Sequence, residues 1–267
     1  MRVVHALAGD LRSTLMSVLL RIRNLALGFN ESILLRQLSM DIEEGTTLAI
    51  LGANGSGKTT FIKCLLGLSP PLAGEISWPS GRPREIGYLP QMSEFDHRFP
   101  LRVRDLVAMG SWRGFGLRSG LTEDRRKLIT KAMDETGVLS IAEQPLHTLS
   151  GGQLQRALFA RVILQDAPLI VLDEPFAAVD QRTEDHLLEV MEHWRREGRS
   201  VVLVVHDLSS VLDHCTQALL LGDGMATHGT VEDVLTHERL VAQGYLSKSQ
   251  AAWMLRGPAM NPGGSGV

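Results

Sequence analysis

The chain has 267 residues, of which 44% are hydrophobic, so it is long enough for one large domain or two small ones with a sizeable core. Its formal net charge is −3, with basic and acidic residues mixed along the chain, and this balance does not indicate a nucleic-acid partner. The two cysteines, Cys64 and Cys215, lie far apart and are predicted to be reduced, buried thiols of an intracellular protein.

No apolar run in the sequence reaches the length of about 18 residues that a membrane-spanning helix needs. The best candidate, STLMSVLLRIRNLALGF at 13–29, is interrupted by Arg21 and Arg23, and we predict no signal peptide. If the protein works at a membrane, we expect another chain to hold it there.

In chain order, the first predicted elements are antiparallel strands within 18–44, where apolar and polar residues partly alternate. Three later runs are apolar on both faces and predict buried parallel strands: TLAIL at 47–51, LIVLD at 169–173 and VVLVV at 201–205. Each leads into a polar or glycine-rich turn. The alternation of strands and helices predicts an α/β sheet with its ligands at the carboxyl ends of the strands.

The region from about 91 to 153 differs from its surroundings, because it is rich in helix formers and charged residues and contains no strong strand pattern. We predict that it forms an α-helical subdomain inserted into the α/β core. After the last predicted strand, residues 231–246 are expected to form a surface helix with Thr230 as its N-cap.

The stretch GANGSGKTT at 52–60 fits the phosphate-binding pattern G-x-x-x-x-G-K-[ST] and lies between a predicted strand and a predicted helix. Its glycines allow backbone N–H groups to turn towards a phosphate, and the helix N-terminus adds partial positive charge. Lys58 is expected to reach the β- and γ-phosphates, and the Thr59 hydroxyl to bind Mg²⁺. The alternative is a glycine-rich turn with a solvent-exposed lysine. The predicted nucleotide-binding residues of this loop are Gly52, Asn54, Gly55, Ser56, Gly57, Lys58, Thr59 and Thr60.

Two acidic residues, Asp173 and Glu174, end the predicted strand LIVLD. Such a strand would place Asp173 beside the phosphate loop, where its carboxylate can hold Mg²⁺. Glu174 could then accept a proton from an attacking water. The alternative is a strand-end acid that caps the following turn.

The stretch LSGGQ at 149–153 precedes an amphipathic helix with Leu154, Leu158 and Val162 on one face. Ser150 is a good N-cap, and Gly151 and Gly152 leave backbone amides accessible. Taken alone, this pattern fits a capped helix start at least as well as an anion site.

Five motifs, in this order, resemble those of the nucleotide-binding subunit of ABC transporters. They are the phosphate loop at 52–60, LPQ at 89–91, LSGGQ at 149–153, LIVLDEP at 169–175 and His206 in VVHD. The resemblance runs from about residue 20 to residue 244. It implies a P-loop NTPase (RecA-like) core with an antiparallel β subdomain and an inserted α-helical subdomain. It also implies an ATPase that converts ATP and water to ADP and phosphate, uses Mg²⁺ and drives transmembrane transport.

The resemblance also implies how the copies assemble. In this family two cassettes pack head to tail, and the LSGGQ stretch of one closes on the γ-phosphate held by the other. Residues Ser150, Gly151, Gly152 and Gln153 would thus serve the ATP of a second copy of this chain.

Four further roles follow from the resemblance. Phe29 would stack on adenine, with a buried core phenylalanine as the alternative. Gln91 would contact Mg²⁺ and the γ-phosphate, and Asp180 would belong to the dimer interface. His206 would contact the γ-phosphate as a catalytic residue beside Glu174 and Gln91, with a structural histidine at a strand end as the alternative.

The segment at 86–117, which contains PQMSEFDHRFP, resembles the cassettes of zinc and manganese importers. That resemblance implies an integral membrane permease, an extracytoplasmic metal-binding protein and a peripheral location on the cytoplasmic face of the membrane. The alternatives are a cassette for a siderophore, haem or another solute, a non-transport ABC ATPase, and a P-loop kinase or small GTPase. We expect Ser93, Glu94 and Asp96 to matter for assembly with the permease, and Leu101, Val103, Leu106 and Val107 to form part of a groove for a permease helix, with core packing as the alternative for some of them.

The two ends of the chain match the family least. Residues 1–15 are expected to be a disordered leader or to precede the natural start. Residues 247–267 are expected to be a C-terminal tail, in which GPAMNPGGSGV at 257–267 is disordered. Residues 16–246 are then the predicted nucleotide-binding domain.

Overall fold

The computed structural model describes residues 17–29, 32–94, 96, 99–114, 122–177, 179–205, 213–243 and 245, and for Phe29, Glu94 and 112–114 it describes the backbone alone. The described residues form two sheets. Their strands are β1 (Val18–Phe29), β2 (Ser32–Glu43), β3 (Thr47–Gly52), β4 (Ala73–Ser77), β5 (Ile86–Leu89), β6 (Leu169–Asp173), β7 (Ser200–Val204), β8 (Gln217–Gly222) and β9 (Met225–Thr230). The helices are α1 (Lys58–Leu65), α2 (Val103–Ala108), α3 (Glu123–Glu135), α4 (Gly151–Gln165), α5 (Gln181–Arg196), α6 (Val231–Val234) and α7 (His237–Ala242).

The larger sheet has the strand order β5-β6-β7-β3-β8-β9, and all its neighbouring strands are parallel except the β8–β9 pair. Every residue of β3, β6 and β7 is buried, as expected for strands covered on both faces. The three predicted parallel strands are therefore confirmed. Because β6, β7 and β3 are neighbours, the residues that follow them meet at one edge of the sheet.

The smaller sheet has the order β2-β1-β4 and is antiparallel, which confirms the strands predicted within 18–44. Its apolar face, the buried side chains of α1 and one face of β3, β6, β7 and β8 form one hydrophobic cluster. Phe61 and Ile62 of α1 are fully buried in it. This packing fixes α1, and with it the loop that precedes α1, against the central strands.

The opposite face of the larger sheet packs against α2, α3, α4 and α5 in a second cluster. The predicted apolar face of α4 is confirmed, since Leu154, Leu158 and Val162 are at most 5% exposed. Phe159 of α4 stacks on Trp194 of α5 with ring centroids 5.5 Å apart. Between β5 and β6 the described residues are helices and short 3₁₀ turns, apart from an isolated bridge between Arg102 and Pro145.

Two predictions of detail were wrong. The single surface helix predicted at 231–246 is two short helices, α6 and α7, because Thr236 caps a second helix start by accepting a hydrogen bond from the Arg239 amide. Thr230 is the N-cap of α6, as predicted. Val231 and Val234 are buried, so α6 packs against the core.

The predicted docking groove also requires correction. Val103, Leu106 and Val107 are at most 1% exposed and belong to the core of the helical region, so they offer no surface to a partner. Leu101 is half-buried. Within the described ranges, no helix combines the length and apolar character needed to cross a membrane.

Candidate nucleotide-binding site

The predicted phosphate loop connects the carboxyl end of β3 to the N-terminus of α1. Gly57 is the N-cap of α1 with φ 104°, a backbone conformation that favours glycine. A Cβ at Gly52 would lie 2.4 Å from Ser56 Oγ and 2.5 Å from the Leu221 carbonyl oxygen, so only glycine fits there. Gly55 has open space around it, and Ala53, Asn54 and Gly55 are exposed. The loop therefore has a tightly packed base and an accessible tip.

Lys58 lies under this loop and is only 7% exposed. Its ammonium donates hydrogen bonds to the carbonyl oxygens of Gly52 (2.7 Å) and Ala53 (3.1 Å). Burial lowers the pKa of the Lys58 amine, and the negative charges of Glu174 and Asp173 act in the opposite direction. The structure thus brings together the phosphate loop and the two predicted acidic residues.

The N-terminus of α1 suits an anion. Its first turn contains no acidic residue, so the partial positive charge of the helix is not neutralised there. The Ser56 hydroxyl oxygen is buried and has no hydrogen-bond partner within the described part of the chain. Thr59 is half-buried and Thr60 is 7% exposed. A phosphate group at the loop would give these donors an acceptor.

The acidic pair lies where β6 ends. Asp173 is 1% exposed and pairs with Val204 of β7, whereas Glu174 is half-buried. Glu174 has φ 54°, in the left-handed region that a non-glycine residue rarely adopts. Its amide donates to the Val204 carbonyl at 3.1 Å. The turn therefore holds the Glu174 backbone in a strained conformation directly beside the buried Asp173.

Gln155, which the sequence did not single out, supports this turn from α4. It is fully buried, and its Nε2 donates to the carbonyl oxygens of Pro175 (2.8 Å) and Glu174 (3.4 Å). A polar residue on the otherwise apolar side of a helix indicates a buried hydrogen bond, but it does not indicate which group is the partner. The helix that begins at the LSGGQ stretch is thereby joined to the acidic turn.

Gln91 follows the edge strand β5 and is half-buried. The backbone of Tyr88 in β5 is held by two side chains of α4. The Tyr88 amide donates to Gln165 Oε1 (3.0 Å), and Arg161 donates to the Tyr88 carbonyl oxygen (2.9 Å). Burial lowers the pKa of the Arg161 guanidinium. These contacts, also missed from sequence, fix the strand that leads to Gln91.

The LSGGQ stretch starts α4 with a capping box. Ser150 Oγ accepts a hydrogen bond from the Gln153 amide (3.3 Å), and Gln153 Oε1 accepts one from the Ser150 amide (2.9 Å). The predicted N-cap is confirmed. Ser150 and Gly151 are exposed, and Gly152 and Gln153 are half-buried, so the first turn is accessible to another molecule.

Asp180 is the exposed N-cap of α5. Its carboxylate accepts hydrogen bonds from the Thr183 amide (2.9 Å) and the Thr183 hydroxyl (3.1 Å), and these bonds lower the pKa of the Asp180 carboxyl. Within this chain Asp180 therefore caps α5. The predicted role at a dimer interface would be a second, additional role.

Two predicted site residues fall partly or wholly outside the described residues. The backbone of Phe29 ends β1 and pairs with Ser32, but its side chain is not described. His206 follows Val205 directly and is itself outside the described residues. Leu34 of β2 lies near the loop, since its Cβ is 3.4 Å from a Cβ built at Gly57. The β1–β2 hairpin therefore borders the phosphate loop.

The phosphate loop and the acidic pair, which the structure brings together, fit a magnesium nucleotide. The glycine-rich loop, the Lys58 ammonium and the helix N-terminus suit phosphate groups. Thr59, Gln91 and Asp173 would supply the hydroxyl, amide and carboxylate oxygens that Mg²⁺ prefers.

A protein-family model described as ABC transporter matches residues 35–177 of this chain. The chain belongs to the ABC transporter family. This membership confirms the predicted P-loop NTPase fold and identifies an ATPase whose hydrolysis is coupled to transport.

Relatives with assigned functions cover most of this ABC ATPase. The manganese transport system ATP-binding protein MntB of Listeria innocua is 30% identical over 83% of this chain and 94% of its own length. The zinc transport system ATP-binding protein TroB of Treponema pallidum is 36% identical over 82% of this chain and 84% of its own length. A solved structure of a metal-chelate type ABC transporter in an inward-facing conformation contains a chain that is 30% identical, with a TM-score of 0.76 over 86% of this chain and 90% of that one.

Proposed function

We propose that this chain is the ATP-hydrolysing subunit of an importer for a transition metal ion, manganese or zinc, that moves through a separate membrane permease. The observation that carries the proposal is the similarity over more than four fifths of the chain to cassettes named for manganese and zinc transport. The amino-acid sequence of the segment at 86–117 resembles the same subfamily, and this supports the proposed metal import independently of the nucleotide site.

The nucleotide site lies within a domain of residues 16–246 that includes a helical subdomain at about 91–153. Residues 52–60 hold the phosphates of ATP, with Phe29 against adenine. Thr59, Gln91 and Asp173 would hold Mg²⁺, which would supply positive charge to neutralise the phosphates. Glu174 accepts a proton from the attacking water, and His206 contacts the γ-phosphate.

Two copies of the chain complete the site. The exposed first turn of α4, with Ser150, Gly151, Gly152 and Gln153, faces the γ-phosphate bound by the second copy. Asp180, at the exposed start of α5, lies at the same interface. Because identical copies meet through the same surface, the interface is isologous and encloses two nucleotides.

The permease is proposed to contact the helical subdomain after Gln91. Ser93, Asp96 and Phe99 are exposed there, and Phe99 is 58% exposed. A cleft of about 450 Å³ between α2 and α3 has an apolar floor that includes Ile129 and Met133 and a charged rim of arginine and acidic side chains. We propose this cleft between α2 and α3 as the permease-binding surface, instead of the groove predicted from the sequence. Glu94, together with Ser93 and Asp96, is proposed to contribute to assembly with the permease. The assembly would lie on the cytoplasmic face of the membrane. It would receive metal from an extracytoplasmic binding protein.

The test is uptake of radioactive manganese and zinc by cells that lack the gene, with the wild-type chain or Glu174→Gln supplied in trans. We expect the deletion to lose uptake of one of the two ions, the wild-type chain to restore it, and Glu174→Gln to leave it lost. Normal uptake of both ions in the deletion strain would overturn the metal-ion proposal.

A second candidate, import of a metal chelate such as a siderophore or haem, is favoured by the structural similarity to the metal-chelate type transporter. The same deletion strain separates the two. Loss of chelate uptake with normal manganese and zinc uptake supports this candidate and leaves the ATPase assignment intact.

A further inference from the structure

A tyrosine near the end of the described chain contacts the first residue of the phosphate loop. The Tyr245 hydroxyl oxygen accepts a hydrogen bond from the Gly52 amide at 2.5 Å, although the two residues are 193 positions apart. The Tyr245 amide in turn donates to the Leu240 carbonyl of α7 at 2.8 Å. The Tyr245 side chain packs against the second hydrophobic cluster, on the helix-covered face of the larger sheet. Tyr245 is thus anchored by α7 and aimed at Gly52.

Gly52 is held on both sides by this arrangement. Its amide donates to Tyr245, and its carbonyl oxygen accepts a hydrogen bond from the Lys58 ammonium at 2.7 Å. Because both polar groups of one buried residue are fixed, the start of the loop and the position of Lys58 depend on each other. Loss of the Tyr245 acceptor would take away the hydrogen-bond partner of the Gly52 amide and make the positions of Gly52 and Lys58 less fixed relative to each other.

Gln243 adds a second contact of the same segment. A Cβ built at Gly222 would lie 1.9 Å from Gln243 Oε1, so the amide of Gln243 lies directly on the Gly222 backbone. Gly222 ends β8, and its neighbour Leu221 pairs with Gly52 of β3. The segment after α7 therefore covers the β3–β8 junction from which the phosphate loop begins.

We propose that Tyr245 is a positioning residue for ATP hydrolysis, which acts by fixing Gly52 and, through it, Lys58. This inference rests on the proposed role of 52–60 as the phosphate loop. Burial raises the pKa of the Tyr245 hydroxyl, and the hydrogen bond from the Gly52 amide acts in the opposite direction. The segment after α7 then contributes to catalysis without contacting the nucleotide.

The first test is Tyr245→Phe, which keeps the ring and removes the acceptor. We expect the KM for ATP to rise about two- to tenfold, the effect of one lost hydrogen bond, with a smaller change in kcat because Lys58 binds phosphate in the ground state as well. Tyr88→Phe is the matched control, since it removes the hydroxyl of the second of the two tyrosines and should leave the KM for ATP unchanged. A wild-type KM in Tyr245→Phe would overturn the proposal.

A spectroscopic test does not depend on the Tyr245→Phe protein being stable. In a Tyr88→Phe background Tyr245 is the one remaining tyrosine, so biosynthetic incorporation of 3-fluorotyrosine labels that position alone. We expect the fluorine NMR signal to shift on addition of ATP, because phosphates at the loop perturb Gly52. A signal that ATP leaves unchanged would contradict the proposal.

Lys58→Ala distinguishes failure of this inference from failure of the phosphate-loop assignment. If Lys58→Ala binds ATP as the wild type does, the phosphate-loop assignment fails and the Tyr245 inference fails with it. If Lys58→Ala loses ATP binding while Tyr245→Phe keeps a wild-type KM, only the Tyr245 inference fails.

Discussion

Glu174 shows how a single residue can be both strained and useful. A non-glycine residue in the left-handed region costs about 1–3 kcal/mol, and the conformation persists only where the surrounding structure holds it. Here its amide is bound by Val204 and its carbonyl by Gln155 and the Ala177 amide, so the surrounding hydrogen bonds maintain the conformation. Strain of this kind is concentrated at functional sites, which supports the assignment of Glu174 as the general base.

The prediction for this residue concerns Glu174→Gln. Glutamine has nearly the same shape and leaves the backbone hydrogen bonds in place, but it cannot accept the proton of the attacking water. We expect ATP binding to be retained and hydrolysis to fall by about 10²–10⁴-fold, and the ATP-bound dimer to persist. Single-turnover hydrolysis and size-exclusion chromatography with ATP measure these effects. Glu232→Gln, at an exposed position on α6, is the control. Near-normal turnover in Glu174→Gln would assign the base to another group.

At the scale of elements, the sequence predicted the parts whose signal is local. The strands at 47–51 and 169–173 are apolar on both faces, and α4 begins with its own capping box, so each is encoded by neighbouring residues. The sequences of β5 and β9 do not show a clear strand pattern. β5 has only four residues and lies at the sheet edge, and β9 is largely polar, with little alternation between buried and exposed residues.

The contacts that hold the site could not be predicted from the sequence, because they join distant elements. Gln155, Arg161 and Tyr245 look like ordinary residues of helices or loops until the fold brings them to the acidic turn, β5 and Gly52. The five motifs, by contrast, identify the family because their order and spacing can be read directly from the linear sequence.

The contact between α4 and β5 gives a prediction about stability. β5 is an edge strand of the sheet that the described residues form, and the amide of Tyr88 in this strand donates to Gln165 of α4. Gln165→Leu removes this acceptor in a half-buried position and should lower the free energy of unfolding by about 1–3 kcal/mol. Gln165→Glu keeps an oxygen at the same place and should lose much less. Chemical denaturation of both variants decides the point, and equal losses would mean that packing at position 165 matters and the hydrogen bond does not.

At the scale of the whole molecule, the positions of the two phosphate-related motifs favour a shared site. The phosphate loop and the acidic pair meet at the carboxyl edge of the larger sheet, where the charges of Asp173 and Glu174 act on Lys58. Ser150 and Gln153 instead make their hydrogen bonds with each other at an exposed helix start. A motif that is well formed, exposed and anion-compatible is suited to a nucleotide brought by a second copy.

Two substitutions at Ser150 test the shared site, and the first of them keeps the helix cap. Aspartate caps a helix as well as serine does, so Ser150→Asp should fold normally, but its charge would repel the partner's γ-phosphate. Ser150→Arg adds bulk at the same point. For both variants we expect monomers to bind ATP as the wild type does, while dimer formation and hydrolysis fail. Loss of ATP binding by isolated Ser150→Asp monomers would show that the stretch serves its own chain.

Mixing two inactive proteins then makes the argument quantitative. Ser150→Arg keeps an intact phosphate loop, and Lys58→Ala keeps an intact LSGGQ stretch, so a mixed dimer has one complete site and one site damaged on both sides. Neither protein is expected to form a dimer with itself, so the dimers that form are mixed and each has one of its two sites complete. Hydrolysis should then recover to about half of the wild-type rate when the sites act independently. Either protein mixed with itself should stay inactive. A mixture that remains inactive at concentrations where mixed dimers are detected would mean that both sites must be complete for turnover. A mixture that never forms dimers with ATP would contradict the head-to-tail arrangement.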